Sequence, residues 1–156
     1  MKKYLLFAFA AIVSLGAMAL DLSEEYYYYL YSPYFGGKYA ASNSEGNGVT
    51  PADKEEGEAR FLWSVEKQSD GTVYLRNKAT GTAAYPIEDA ENGVIKLGQD
   101  YGWTVKEATV NTGDTGICIF TASGNVAWYQ NHTSPGWKTT IVLQPLWGAC
   151  IWEFQK

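Results

Sequence analysis

Three tryptophan-bearing segments return along this chain at a nearly even pace, and that cadence limits what it can fold into more than any other feature. They are Phe61-Leu62-Trp63-Ser64-Val65, Tyr101-Gly102-Trp103-Thr104-Val105 and Cys150-Ile151-Trp152-Glu153-Phe154. Their tryptophans lie 40 and 49 residues apart. Each follows an opening segment: Tyr28-Tyr29-Leu30-Tyr31, Val73-Tyr74-Leu75-Arg76 or Ile117-Cys118-Ile119-Phe120. Between opening and closing segments stands a glycine with small or aromatic neighbours, at Gly37, Gly81 and Gly124. Three signals in one order, three times over, mark an internal repeat.

Within these segments the apolar positions alternate with period two, as half-buried strands require. Trp63, Trp103 and Trp152 then share a face with Val65, Val105 and Phe154. In the opening strands, Leu30, Leu75 and Ile119 share a face with Tyr28, Val73 and Ile117. Both sets are expected inside a small barrel. Gly37, Gly81 and Gly124 fall where a tight turn needs positive φ. A repeat of this length holds about four short strands. One such unit leaves a face bare, whereas three close around a common axis. The expected fold is all-β, a β-trefoil of three pseudo-repeats with units near 24–70, 71–114 and 115–156. A propeller needs more blades than this chain supplies. An immunoglobulin-like sandwich does not predict a threefold cadence. Thr50-Pro51-Ala52-Asp53 has the look of a capped first helical turn, so one short helix is expected in the acidic insert.

The first residues read differently. Lys2 and Lys3 precede an apolar run over 4–15, which ends in the small residues Ala17-Met18-Ala19. That is the layout of a secretory signal peptide, expected to be removed after Ala19. The remaining 20–156 is expected to form a single domain, secreted or periplasmic, with no membrane span. Losing the leader removes two of the 12 basic residues and none of the 17 acidic ones, leaving a net charge of about −7. A scattered basic set on an acidic chain argues against nucleic acid as a partner.

The run Tyr74-Leu75-Arg76-Asn77-Lys78-Ala79-Thr80-Gly81, together with the threefold return of a Trp strand, resembles the ricin B-type lectin-like β-trefoils, especially small secreted or appended bacterial modules. The resemblance covers nearly the whole chain after the leader. It departs at the Gln-x-Trp motif, since Gln144 and Trp147 stand one residue too far apart. The resemblance implies a glycan or glycoconjugate as partner. Members of this fold also inhibit proteases or bind proteins, so fold alone does not fix function.

Catalysis finds little footing. His132, the one histidine, lies between Asn131 and Thr133 with no His-x-x-x-His partner and no nearby cysteine, so neither a metal nor a nucleophile–base pair is indicated. Ser64-Val65-Glu66-Lys67 matches Ser-x-x-Lys but lacks the companion motifs of penicillin-binding enzymes. No glycine-rich phosphate loop is present. No enzyme activity, cofactor or metal is expected. Asn131-His132-Thr133 also matches a glycosylation sequon, which has no bearing behind a leader of bacterial type. Cys118 and Cys150 fall on the opening and closing strands of the third unit. Export favours a bridge between them, whereas period-two alternation turns Cys150 inward and Cys118 outward. Bridge and buried thiols both stay open.

Sugar recognition needs an aromatic plane to stack on the ring, with planar amides or carboxylates beside it for the hydroxyls. The segment 126–137 supplies this best: Trp128, Tyr129 and Trp137 with Asn131 and His132. Trp128 or Tyr129 would alternatively plug the hairpin cap. The matching stretch of the second unit offers Tyr85, Glu88 and Asp89, and that of the first Tyr39 and Asn43. The expected function is non-catalytic carbohydrate binding. The alternative is a protein-binding trefoil, such as a protease inhibitor presenting residues 44–58 as its loop.

Overall fold

A computed structural model describes residues 21–131 and 140–156. These residues form twelve strands, four to each unit. The first unit holds β1 (Tyr27–Ser32), β2 (Lys38–Ser42), β3 (Val49–Ala52) and β4 (Leu62–Lys67). The second holds β5 (Val73–Asn77), β6 (Ala84–Pro86), β7 (Ile95–Leu97) and β8 (Thr104–Thr109). The third holds β9 (Thr115–Phe120), β10 (Ala127–Tyr129), β11 (Val142–Gln144) and β12 (Glu153–Gln155).

Opening and closing strands of all three units build one barrel. β1 pairs antiparallel with β4, β4 with β5, β8 with β9, and β12 returns to β1. The two remaining seams are closed by bridges at Val73–Trp103 and Ile117–Trp152. No barrel edge is left for another strand to join. The hairpins β2–β3, β6–β7 and β10–β11 form a cap over one end. Backbone hydrogen bonds stitch them together around the axis: Ile141 N–H donates to the Val49 carbonyl at 2.9 Å, Ile95 N–H to Ile141 at 3.4 Å and Leu97 N–H to Asn47 at 3.0 Å. The architecture is a β-trefoil, with Gly37, Gly81 and Gly124 at φ of 74°, 66° and 74° in equivalent turns.

The core repeats with the strands. Trp63, Trp103 and Trp152 are buried, as are Leu30, Leu75 and Ile119, while Val105 and Phe154 pack against the same cluster at its margin. Each closing indole donates its N–H to one backbone carbonyl in its own unit: Trp63 to Ala40 at 2.9 Å, Trp103 to Ala84 at 2.8 Å and Trp152 to Trp128 at 3.0 Å. Positions 40, 84 and 128 are therefore equivalent, and only the third carries a large side chain.

Two local expectations are corrected. Thr50-Pro51-Ala52 is strand and not a helical turn, because β3 pairs along β2 from Val49 to Ala52. Pro51 is tolerated because β3 lies at the edge of its sheet. The short 3-10 turn comes later, at Ala59–Phe61. The inward placement of Cys150 also fails, since a second 3-10 turn, Gly148–Cys150, breaks the period-two alternation before Trp152. Cys118 and Cys150 instead share a separate apolar cluster with Val110, Phe120, Ala127 and Ile151. Both are buried free thiols.

The acidic stretch after β3 lies along the barrel wall. The Lys54 ammonium sits 4.0 Å above the Tyr29 ring and 2.7 Å from Glu56. Gly57 N–H donates to the Tyr29 hydroxyl at 3.1 Å, and Arg60 pairs with Glu55 at 3.1 Å. Among the described residues, no helix is long and apolar enough to cross a membrane.

Candidate functional site

β10 runs out of the barrel cap with sequence Ala127-Trp128-Tyr129, and its alternation decides which ring faces where. Trp128 points to the axis. It has no exposed surface, and its ring stands edge-to-face with Trp63, Trp103 and Trp152 at 5.9, 5.4 and 6.1 Å. Ala40 and Ala84 at the equivalent positions leave the space it fills. The expectation that Trp128 stacks on a ligand is therefore corrected: three perpendicular indoles enclose it, and a sugar cannot reach it.

Tyr129 points the other way, onto the surface, where its ring is half-buried. Phe35 lies 6.2 Å from it at 71°, and Trp147 lies 5.9 Å from it at 80°. Phe35 and Trp147 are each 41 % exposed, a large solvent-facing area for such rings. The backbone N–H of Gln130 donates to the Ala149 carbonyl at 3.0 Å, which ties the end of β10 to the turn bearing Trp147. Burial, with the nearby Cys150 thiol, raises the Tyr129 hydroxyl above the usual tyrosine value and keeps it protonated. A neutral phenol both donates and accepts. Asn131 follows at the end of the strand, partly exposed and engaged in its own contacts. His132 and Trp137, the remaining expected ligand residues, lie outside the described residues.

Polar groups frame the aromatic ledge. Tyr34 lies close enough to Gly148 that a side chain there would meet its ring. Its hydroxyl donates to Asp114 at 2.8 Å, and Thr112 donates to the same oxygen at 2.8 Å. These two bonds, Thr112 first, hold the Asp114 carboxyl below the ordinary aspartate range. Asp114 thus stays ionised and exposed at the rim.

Of the expected set, Tyr129 lies at this surface with Asn131 two residues further along the chain, and Phe35 and Trp147 are added beside Tyr129. The sequence carried a faint signal for each addition. Trp147 is one of three tryptophans, with Trp128 and Trp137, that fall outside the threefold cadence of Trp63, Trp103 and Trp152. Phe35 occupies a turn longer than its counterparts.

Other surfaces hold less. Asp89 accepts from Thr121 Oγ1 at 2.5 Å, Ser123 Oγ at 2.7 Å and Ser123 N–H at 2.9 Å. Its oxygens are committed to joining the second and third units. A cleft at the barrel mouth, lined by Leu22, Lys67, Gln68 and Val105, presents a lysine already paired with Asp21 at 2.8 Å. Among the described residues there is no cluster of three His, Cys, Asp or Glu side chains placed to hold a metal ion.

No protein-family model matches this sequence, and no curated protein sequence matches it. Solved structures do match. A ricin B-like lectin of Macrolepiota procera, solved with lactose, superposes with a TM-score of 0.71 at 14% identity, over 87% of this chain and 99% of that one. The Rhizoctonia solani agglutinin gives 0.71 at 15% identity, over 88% and 98%. An endo-β-galactosidase of Clostridium perfringens gives 0.60 at 19% identity, over 83% of this chain but 32% of the enzyme. Across nearly its whole described length, then, the chain has the β-trefoil fold of the ricin B-like lectins.

Proposed function

We propose that this protein is an exported, non-catalytic carbohydrate-binding module whose ligand rests on the aromatic ledge around Tyr129. The observation that carries the reading is the half-buried Tyr129 ring with exposed Phe35 and Trp147 beside it, at the end of the strand leading to Asn131. The apolar C–H face of a sugar ring stacks on an indole or phenyl plane, where both surfaces leave water. Hydroxyls then bond the Asn131 amide, the Tyr129 phenol and the Asp114 carboxylate. His132 and Trp137 belong to the adjoining segment and are candidates for the same surface. The described groups hold and orient a glycan without supplying an acid–base pair across a glycosidic bond. The lectin folds that match the chain support this reading. The match to an enzyme spans only a third of that protein.

The rival expectation, a protease inhibitor with residues 44–58 as its loop, draws little support from a segment that is divided between the short hairpin turn before β3, strand β3 itself and a stretch around 54–57 tied to the barrel wall. The test is a glycan array probed with the full chain after export and processing. Binding should fall by about tenfold or more in Tyr129→Ala and Trp147→Ala, the loss of one good stacking contact. No binding to any glycan, with both variants folded like the parent, would refute the proposal.

A further inference from the structure

The first unit carries extra chain between its third strand and its closing tryptophan. Trp63 follows the end of β3 by 11 positions, whereas Trp103 follows β7 by 6 and Trp152 follows β11 by 8. The added residues form a strap over the barrel wall, and Lys54 lies in it. Lys38 pairs with Asp53 at 2.6 Å and Arg60 with Glu55 at 3.1 Å, so both ends of the strap are held without Lys54.

Beneath Lys54 two rings form a corner. Tyr29 and Tyr39 stand at 83° with centroids 6.2 Å apart, and the Lys54 ammonium sits 4.0 Å from the first and 5.7 Å from the second. Glu56 closes a third side, 2.7 Å from the same nitrogen. Hydrogen bonds fix the corner in advance. The Tyr29 hydroxyl accepts from Gly57 N–H at 3.1 Å and donates to Glu56 at 3.2 Å, while the Tyr39 hydroxyl donates to Gln155 at 3.2 Å. The other units do not repeat it. At the positions equivalent to 29 and 39, the second unit has Tyr74 and Ala83, and the third has Cys118 and Ala127. Perpendicular ring faces with a carboxylate beside them suit an organic cation.

We infer that the corner of Tyr29, Tyr39 and Glu56 is a binding site for a quaternary ammonium group, of the kind choline carries, and that Lys54 fills it until such a ligand displaces it. A primary ammonium is strongly hydrated and gives up part of that shell to sit against a ring. A methylated ammonium holds water weakly and lays apolar surface on both rings at once. Lys54 leaves at small cost. Its side chain is 28 % exposed, and its contacts with the Tyr29 ring and with Glu56 are of the weak surface kind. A chain of net charge −5 also draws cations toward it. The site uses no residue of the Tyr129 ledge, so its failure would leave the glycan-binding reading standing.

The experiment titrates the full processed chain, Lys54→Ala and Glu56→Gln with tetramethylammonium and choline chlorides, against sodium chloride at equal ionic strength. In the parent the readout is the NMR signal of the Lys54 ε-methylene, which the Tyr29 ring current displaces upfield. Saturable binding should return that signal to its free-lysine position. Affinity should rise by about tenfold in Lys54→Ala and fall by about threefold in Glu56→Gln. Phosphatidylcholine vesicles beside free choline show whether a lipid headgroup or a soluble ligand carries the group, and binding to either supports the site. Equal affinity in the parent and Lys54→Ala would overturn the inference. So would binding that leaves the Lys54 signal unmoved, shifts that sodium reproduces, or no saturable binding to either chain. The parent's own Lys54 signal decides without any substitution, whatever the melting temperatures of the variants.

Discussion

The Trp152 indole N–H donates to the backbone carbonyl of Trp128 at 3.0 Å, while the Trp128 ring stands at 90° to that same indole. One residue thus supplies the acceptor that completes the threefold set and the side chain that breaks it. Its equivalents, Ala40 and Ala84, supply the acceptor alone. The barrel has room on its axis for one large ring.

Trp128→Ala should accordingly cost about 3–5 kcal/mol, because it removes the largest buried ring on the axis and leaves a cavity between three indoles. Trp147→Ala, at the surface, should stay within about 0.5 kcal/mol of the parent. Urea unfolding midpoints of the two variants check the contrast. Equal costs would place Trp128 elsewhere than the axis.

The three turn glycines should respond unequally to alanine. At Gly81 and Gly124 an added Cβ meets nothing, so only the positive φ opposes it, at about 1 kcal/mol. At Gly37 the same strain is joined by collision with the Tyr31 ring. Gly37→Ala is therefore expected to unfold at clearly lower urea than Gly81→Ala or Gly124→Ala. Thermal melts of the three variants side by side give the order.

Cys118 and Cys150 should be unreactive while the protein is folded. Burial pushes their thiols from 9.0 up to about 11 and about 12, so little thiolate exists at neutral pH. With folded values above the unfolded one, the stability gained by keeping them neutral is complete below pH 9 and is lost as pH rises through 11 to 12. A thiol reagent at pH 8 should label neither residue in the native protein and both after guanidinium is added. Absence of labelling in guanidinium would reveal a bridge. The unfolding midpoint should begin to drop above pH 9.

How much of this was legible beforehand depended on whether a feature repeats. Trp63, Trp103 and Trp152 betrayed the barrel because the same packing problem is solved three times, and a period-two strand leaves the same trace each time. Trp128 was misread for the opposite reason. Nothing within its own strand separates a core ring from a stacking platform, and the clue lay far away, in the small side chains of Ala40 and Ala84. Cys150 was turned the wrong way because the 3-10 turn at Gly148–Cys150 interrupts an alternation that looks continuous on paper. Trp147 escaped notice because it meets Tyr129 from 18 residues further along the same unit, and Phe35 because its meeting with Tyr129 depends on closure of the first unit against the third. Closure is a tertiary event, and local pattern does not encode it.

Four indoles lie in the core and the proposed ligand rests at the Tyr129 ledge, so indole N–H resonances report on both at once. With ¹⁵N-labelled protein titrated with a glycan that scores on the array, the Trp147 signal should shift with saturation. Those of Trp63, Trp103, Trp128 and Trp152 should hold nearly still and resist hydrogen exchange. Shifts spread over the core indoles with Trp147 unmoved would contradict the site, and fast exchange of all four would contradict the barrel that presents it.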